Sequence, residues 1–406
     1  MAVTEATVQR STASSFVDIE HVGPGTPAGN WLRQFWHPVY RTEDLPAGRA
    51  KPVRLLGEDF TLYRGEGGAV HAIAFRCAHR GTQLSTGWVE DENLRCFYHG
   101  WVYEGSGQCV EQPAEPEPFC QKIRIRGYPV EEYLDIVFVY LGEGEAPPLP
   151  RFGVGETANL RQVETCTWPF SYRQALDNKQ DQAHLPFVHR RMSAETGTEP
   201  ISPDWATRRG FPTQIVEETD WGYTSKCLYN SGAVTFEHIL MPNCYLHRDR
   251  PGNPRAWDPP TGWDDTIRWT VPIDDEHHMD VTLELANLPE EQAEAYRQQR
   301  REFLENAPQA PVMDLLKDVL EGRMTPAELA KYDLQGSSGS LMDGIARWGQ
   351  GTIPDRSQDH LGRSDASPIL YRKIFEREIR AFAEGKPIKR WEWPLDLHAT
   401  FQNPSE

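Results

Sequence analysis

The sequence predicts an α+β protein in which a small all-β domain precedes a larger domain of helices and antiparallel strands. Three features of the 406-residue chain indicate this: short apolar runs in the first third, a proline-rich joint at 146–150, and helical and strand-like stretches after it. The length also suggests two domains, or one large domain with a small one inserted. We expect a leader at 1–20, the small domain with an N-terminal docking segment at 21–150, and the larger domain at 151–406.

The elements of the small domain follow from local composition. A turn rich in glycine and proline at 23–29 leads into an aromatic segment at 30–39 that should dock on a core. Short runs of alternating polarity, bounded by glycine or charged residues, then predict β-strands. These runs lie at 52–56, 60–63, 70–75 and 135–141.

The larger domain carries clearer helix signals. A proline near the start and strong helix formers without glycine predict a helix at 289–306. A second helix is expected at 371–384, where apolar residues share one face and Gly-Lys-Pro follows as a stop signal. Between them and the joint, runs such as 233–236 and 267–271 predict a sheet.

Composition excludes some classes of function. The formal net charge of −18 argues against nucleic acid as a partner, because phosphate binding needs a basic face. No apolar stretch is long enough to span a membrane, and residues 1–15 lack the apolar core of a secretory signal. We therefore expect a cytoplasmic protein in which the cysteines outside the motif below are reduced thiols. They are Cys109, Cys120, Cys166, Cys227 and Cys244.

Two mixed doublets, Cys77 with His79 and Cys96 with His99, indicate a four-ligand metal site. A thiolate and an imidazole so close in sequence can enter one site from the same loop, as in a Rieske [2Fe-2S] cluster, where two Cys bind one iron and two His the other. The alternative is a Cys₂His₂ zinc site. Zinc sites usually bring like ligands in pairs, so the mixed doublets favour the cluster.

A second candidate site follows in the segment 175–189. If the chain is helical through His184, then Asp177, Asp181 and His184 lie near one face, and Pro186 bends the chain so that His189 returns to the same point. Two imidazoles and one carboxylate with open positions are typical of non-haem iron(II) oxygen chemistry. Two packed or surface histidines are the alternative. Asp181 has the spacing of an acid behind a ligand, so the carboxylate ligand should come from elsewhere.

Together these motifs resemble those of a known family. The patterns C-x-H-R-G and C-x-x-H-G-W, followed by D-x-x-H-x4-H, are similar to those of the oxygenase (alpha) subunits of Rieske non-haem iron oxygenases, also called ring-hydroxylating oxygenases. The turn at 23–29 and the stretch 355–365 resemble the phthalate-dioxygenase-like branch, which includes O- and N-demethylases. The resemblance covers residues 20–385. One departure is Ala78, where that family often carries proline.

The resemblance implies specific ligands and a fold. In that branch the third iron ligand is an Asp eight residues before the Gly of a Gln-Gly pair, which here is Asp343, counted back from Gly351. Met342 precedes it where the family often has Gln. His184, His189 and Asp343 would then hold a mononuclear Fe(II) in a catalytic domain of helix-grip (START-like) fold. The small domain would be the Rieske domain.

The resemblance also implies partners. Electrons from NAD(P)H would reach the cluster through a separate reductase or ferredoxin, then the mononuclear iron, where O₂ attacks a small aromatic substrate. The cluster would serve the iron of the next subunit in a ring-shaped homotrimer, with Asp181 as the catalytic bridge between His184 and the neighbour's His99. Asp177 would either tune the iron's surroundings or face solvent.

Substrate and outcome stay open at this point. Arg173, Arg190 and Arg191 fit either a carboxylated aromatic substrate or surface ion pairs. Ring dihydroxylation, monohydroxylation and oxidative demethylation use the same ligands. The alternative function is a Rieske-type electron-transfer protein without oxygenase activity. The chain length, the second histidine pair and Asp343 favour the oxygenase.

Overall fold

The computed structural model describes residues 17–189, 211–230, 232, 234–248, 259, 263–306, 311–332 and 338–393. Its described strands form four antiparallel sheets, three of them small and built before residue 141, and one of seven strands built after residue 159. Residues 141–152, which include the proline-rich joint, carry neither helix nor strand. The predicted α+β class is confirmed.

The three small sheets share the first part of the chain. One sheet has the order β1 (Trp36–Arg41), β11 (Ile136–Tyr140), β10 (Val130–Tyr133). A second has the order β2 (Arg49–Leu55), β3 (Glu58–Arg64), β4 (Val70–Ala74), β9 (Gly127–Tyr128). The third has the order β5 (Trp88–Glu90), β6 (Asn93–Arg95), β7 (Val102–Tyr103), β8 (Cys109–Glu111). The strands expected at 52–56, 60–63, 70–75 and 135–141 are thus present.

The seven-stranded sheet forms the larger part. Its order is β12 (Leu160–Trp168), β18 (His278–Ala286), β17 (Asp265–Pro272), β16 (Cys244–Arg248), β15 (Val234–Leu240), β14 (Gly222–Leu228), β13 (Thr213–Thr219). The helices are α1 (Pro27–Leu32), α2 (Gly153–Thr157), α3 (Tyr172–Gln180), α4 (Leu185–Val188), α5 (Glu290–Asn306), α6 (Val312–Leu320), α7 (Ser338–Trp348) and α8 (Ala366–Ala383). Both predicted helices exist.

Three buried clusters show how the sheets and helices pack. The largest joins α1, the first small sheet, the inner face of the seven-stranded sheet and α8, and includes Trp31, Trp269 and Phe375. A separate cluster surrounds the two motif cysteines in the small sheets. A third packs α6 and α7 against Trp168, at the end of β12, and Phe170, in the link between β12 and α3. None of the described helices has the length and apolar character needed to cross a membrane.

Candidate metal centres

The two loops that carry the Cys-His doublets have matching backbone geometry. The carbonyl oxygen of Cys77 accepts a hydrogen bond from the amide of Gly81 at 2.9 Å, and that of Cys96 accepts one from Gly100 at 3.1 Å. Both glycines have a positive φ, 76° and 71°, which residues with a Cβ adopt only under strain. The glycine that ends each motif is therefore a requirement of the turn.

The same loops bury both thiols. The amide of Cys77 donates to Thr82 O at 2.9 Å and that of Cys96 to Trp101 O at 2.8 Å, and the two residues are only 3% and 2% exposed. The Tyr103 hydroxyl lies 3.2 Å from Cys77 Sγ. Burial raises the pKa of the Cys96 thiol, so a thiolate at this depth requires a positively charged partner such as iron.

The two motif histidines lie farther out than the cysteines. The His79 and His99 ring centroids are 4.5 Å apart, and His79 stacks on Trp101 at 4.6 Å. His79 Nδ1 is buried and has no hydrogen-bond partner among the described residues. An unpaired ring nitrogen beside buried thiols fits a metal ligand, so these residues suit the group that the motif implies.

The spacing of the four donor atoms distinguishes a cluster from zinc. A single zinc ion would gather all four within about 4 Å of one another, given bonds of about 2.0–2.3 Å. Across the part of the chain that the structure describes, the one group of three or more possible ligands whose donor atoms all lie within 4.8 Å is a different one, His184, His189 and Asp343. The wider spread at the Cys-His loops fits two irons rather than one zinc.

The chain is not helical through His184, so the condition for placing Asp177, Asp181 and His184 on one helix face is not met. Helix α3 ends at Gln180, and Asp181 is extended, with φ −92° and ψ 120°. The cause is local, because Asp181 Oδ1 accepts a hydrogen bond from the amide of Ala183 at 2.7 Å and so favours a turn. His184 and His189 instead flank the single turn of α4, with ring centroids 5.4 Å apart.

Helix α7 brings Asp343 to the two imidazoles. Asp343 Oδ1 lies 3.5 Å from His184 Nε2 and 3.2 Å from His189 Nε2. The three side chains are 15%, 13% and 22% exposed, so the group is largely shielded yet open on one side. Asn178 Nδ2 also lies 3.5 Å from Asp343 Oδ1. The structure thus places the three predicted ligands together.

Charge at this group favours a cation. Burial alone would raise the pKa of Asp343, but hydrogen bonds from His184 and His189 and the charge of Arg347 hold it well below its usual range. Burial likewise opposes the charged form of His184, yet contacts with Asp181 and Asp343 raise its pKa to about 9. Two carboxylates therefore make this a place where positive charge is stabilised. The donor set of two imidazoles and one carboxylate fits iron(II) with open positions.

Beneath this group lies a buried ionic cluster that the sequence analysis missed. Lys179 Nζ donates to Thr270 Oγ1 at 2.5 Å and to the Asp280 carboxylate. Arg347 Nη1 lies 3.7 Å from Asp280, and Arg347 Nε donates to the backbone oxygen of Asp343 at 3.2 Å. The one sequence signal of this cluster was Lys179, a lysine in a helical segment whose neighbouring residues face a core. Asp280 thus connects α3 and α7, the helices on either side of the metal group.

The structure also places the remaining charged candidates. Asp177 accepts from Arg372 Nη2 at 2.6 Å and lies 3.4 Å from Arg356 Nη2, so it neither contacts the iron ligands nor faces solvent freely. Arg173, for which a substrate contact and a surface ion pair were both open, is fully buried and lies over the Tyr371 ring at 5.0 Å. Arg190 and Arg191 lie outside the described residues.

Comparisons with known proteins agree with this geometry. The model of the Rieske [2Fe-2S] domain matches residues 35–133, which contain both Cys-His doublets. The 5,5'-dehydrodivanillate O-demethylase oxygenase subunit of Sphingobium sp. is 29% identical, with 91% of this chain and 81% of that protein covered. The phthalate 4,5-dioxygenase oxygenase subunit of Pseudomonas putida is 27% identical, with 89% and 84% covered.

A solved structure shows the same fold. The terminal oxygenase of carbazole 1,9a-dioxygenase from Novosphingobium sp. superposes with a TM-score of 0.62 at 20% identity, covering 87% of this chain and 95% of that one. A Rieske domain, a convergent His-His-Asp group and full-length similarity to oxygenase subunits all occur in one polypeptide. The chain thus contains a Rieske [2Fe-2S] domain and is similar over about nine tenths of its length to oxygenase subunits.

Proposed function

We propose that this chain is the terminal oxygenase of a multicomponent system that uses O₂ and electrons from NAD(P)H to hydroxylate, dihydroxylate or oxidatively demethylate a small aromatic compound. The main support for this proposal is that His184, His189 and Asp343 lie close together in a chain that also has a Rieske domain. A pure electron carrier would have no use for the second ligand set.

Each ligand has a defined role in this proposal. Cys77 and Cys96 hold the inner iron of the cluster, and His79 and His99 hold the outer one. His184, His189 and Asp343 hold the mononuclear iron, which supplies O₂ activation when bound. The buried Asp280 cluster fixes α3 and α7 so that these three side chains keep their positions. We place the boundary between the Rieske and catalytic domains in the joint at 146–150, with 21–150 and 151–406 on its two sides.

The link between the two centres crosses a subunit boundary in this proposal. Asp181 Oδ2 lies 3.4 Å from His184 Nδ1, and its side chain is 26% exposed, so a neighbouring chain can reach it. His99 follows two apolar side chains, Phe97 and Tyr98, that are 58% and 56% exposed. Two exposed aromatic side chains next to each other favour burial of this loop against a partner subunit. Head-to-tail contacts of this kind close into a ring, here a homotrimer.

An apolar wall beside the iron ligands supports an aromatic substrate. A cavity of about 380 Å³ is lined by Val188 and Met342, which directly precede ligands His189 and Asp343, and by other mainly apolar side chains. Those are Phe187, Pro326, Ala327, Ile345 and Ala346, with Thr325 as the polar member. The described lining carries no charge, so it fits the ring or methyl ether of a substrate better than a carboxylate.

The reaction is best tested on a methoxylated aromatic, because one full-length relative is an O-demethylase oxygenase subunit. The holoenzyme, a reductase or ferredoxin and NADH should consume O₂ and release formaldehyde only when substrate is present. Ring dihydroxylation is the second candidate, favoured by the similarity to phthalate 4,5-dioxygenase, and would yield a diol instead. A pure electron carrier would hold only the two cluster irons and show no substrate-dependent O₂ uptake.

The bridge has its own test. Asp181→Asn keeps the hydrogen-bonding shape but removes the charge, so both metals should remain while most turnover is lost. Retained steady-state turnover would contradict the bridge. The five cysteines outside the Cys-His doublets form no disulfide, which supports a reducing compartment that we take to be the cytoplasm. The acidic chain favours no nucleic-acid partner.

A further inference from the structure

A cavity lined by aromatic side chains lies on the opposite side of the seven-stranded sheet from the iron ligands. Trp269 and Thr270 are neighbours on β17, so their side chains point to opposite faces. Thr270 contacts Lys179 of α3, on the iron side. Trp269 instead faces Phe138 at 5.8 Å and Phe152 at 6.0 Å. The sheet itself therefore separates the cavity from the catalytic centre.

The cavity has the size of one aromatic ring. Its volume is about 180 Å³, close to the roughly 150 Å³ of an engineered protein cavity that binds benzene. Indole rings form much of its wall, from Trp36, Trp269, Trp391 and Trp393. A two-ring compound would exceed this volume, whereas a single ring could stack or pack edge-on against the indoles.

One wall residue offers an unused donor. Trp36 Nε1 donates to Pro147 O at 2.7 Å and Trp393 Nε1 to Met241 O at 3.2 Å. Trp391 is only 8% exposed, and its Nε1 is buried without a partner in the described part of the chain. Buried N–H groups almost always have an acceptor. An acceptor on a bound molecule would complete this wall.

A positive charge stands at the edge of the same cavity. Arg390 lines it, is exposed, and lies 5.9 Å from the Phe35 ring. Its Nη1 donates to Gln34 O at 2.5 Å, which holds the guanidinium at the rim while the other N–H groups stay available. Together the donor and the charge select an anionic acceptor on a small ring.

We propose that this cavity binds a single-ring aromatic carboxylate at a site distinct from the iron centre, with a carboxylate oxygen accepting from Trp391 Nε1. The ring packs among the indoles and the charge faces Arg390. The proposal does not depend on which substrate the iron centre oxidises, because its test measures binding and not turnover.

The test uses benzoate and its neutral isostere toluene as probes on the purified holoenzyme. Calorimetric titration is repeated with Asp343→Ala, which removes one of the three proposed iron ligands and so separates binding that depends on the mononuclear iron from binding at the second site. Benzoate binding should persist in that variant. In the same background, Trp391→Phe should weaken benzoate binding at least about fivefold more than toluene binding, the worth of one hydrogen bond.

Trp393→Phe serves as the matched control, because its N–H already has a protein acceptor. It should leave the ratio of benzoate to toluene affinity unchanged. Loss of all benzoate binding in Asp343→Ala, or equal weakening of both probes by Trp391→Phe, would overturn the proposal. Binding that appears only after residues 394–406 are removed would identify that segment as the occupant and overturn it as well.

Discussion

The charge of Asp280 should be worth several kcal/mol of stability, although it touches no metal ligand side chain. Lys179 and Asp280 are 10% and 16% exposed, and Arg347, which contacts the same carboxylate, is 4% exposed. Asp280→Asn would leave two buried cations without their shared counter-charge. Breaking a buried pair in this way costs about 3–5 kcal/mol. That is a large part of the roughly 5–15 kcal/mol by which domains are stable.

The free energy of unfolding is measured by urea denaturation of the holoenzyme, from the midpoint and slope of the transition. The iron content of the folded protein is measured separately. Asp318→Asn is the control, because its pair with Arg323 is 35% and 55% exposed and should contribute less than about 1 kcal/mol. Asp280→Asn should also lose mononuclear iron before cluster iron, because Asp280 contacts side chains of both α3 and α7. A loss of stability no larger than that of the control would refute the reasoning.

The same carboxylate predicts the sign of a pH dependence. Burial opposes ionisation of Asp280, but Lys179, His278 and Arg347 outweigh it and hold its pKa well below the usual range. A carboxyl whose pKa is depressed by folding stabilises the protein above its unfolded pKa, near 4, and loses that contribution as the pH falls. The stability difference between wild type and Asp280→Asn should therefore be constant above about pH 5 and shrink on acidification.

Three further predictions concern the metal centres and the subunit contact. Asp343→Asn should lower iron content by about one atom per chain while the visible absorption of the cluster stays, since the cluster ligands lie on other loops. Gly100→Ala should destabilise the protein by more than about 1 kcal/mol and reduce cluster content, because a Cβ at this position would lie 3.0 Å from a proline ring. Gly144→Ala is the control: its φ is similar but no atom lies near the added Cβ, so it measures the backbone strain alone. Phe97→Ser should shift the assembly toward monomers in light-scattering measurements with the cluster retained, whereas Leu361→Ser, another exposed apolar position, should not.

The cluster loops were the most predictable part of the site. Their ligands, turns and glycines all fall within short stretches of chain, so residue spacing carries nearly the whole geometry. The glycine φ values explain why each motif ends as it does. Burial of the cysteines and outward placement of the histidines follow from the same two turns.

The mononuclear site was harder to predict, because its third ligand is distant in sequence. Nothing local to His184 or His189 indicates Asp343, which was reached only through a family resemblance. The chain is not helical through His184 for a local reason, because the side chain of Asp181 accepts a hydrogen bond from the amide of Ala183. Helix-propensity scales do not include this competition between a side-chain hydrogen bond and the hydrogen bonds of a continuing helix.

Buried charges were beyond sequence reasoning. Lys179, Asp280 and Arg347 come from three separate elements, and each alone looks like a surface residue. The burial of Arg173 could not be predicted for the same reason. Whether a charged side chain is buried depends on a partner that only the folded chain supplies, here a carboxylate or an aromatic ring.

These buried charges fix the position of the short helix α3. Helix α3 is fixed on one side by Asp177 bonded to Arg372 of α8, and on the other by Lys179 bonded to the sheet through Asp280 and Thr270. Gln180, its last residue, is also bonded to the Tyr223 hydroxyl of β14. Asp181 follows directly after this anchored turn. If a neighbouring chain delivers electrons there, the position of its target is set by α3 and not by the loop beyond, so loosening either anchor should slow turnover without changing which residues bind the metals.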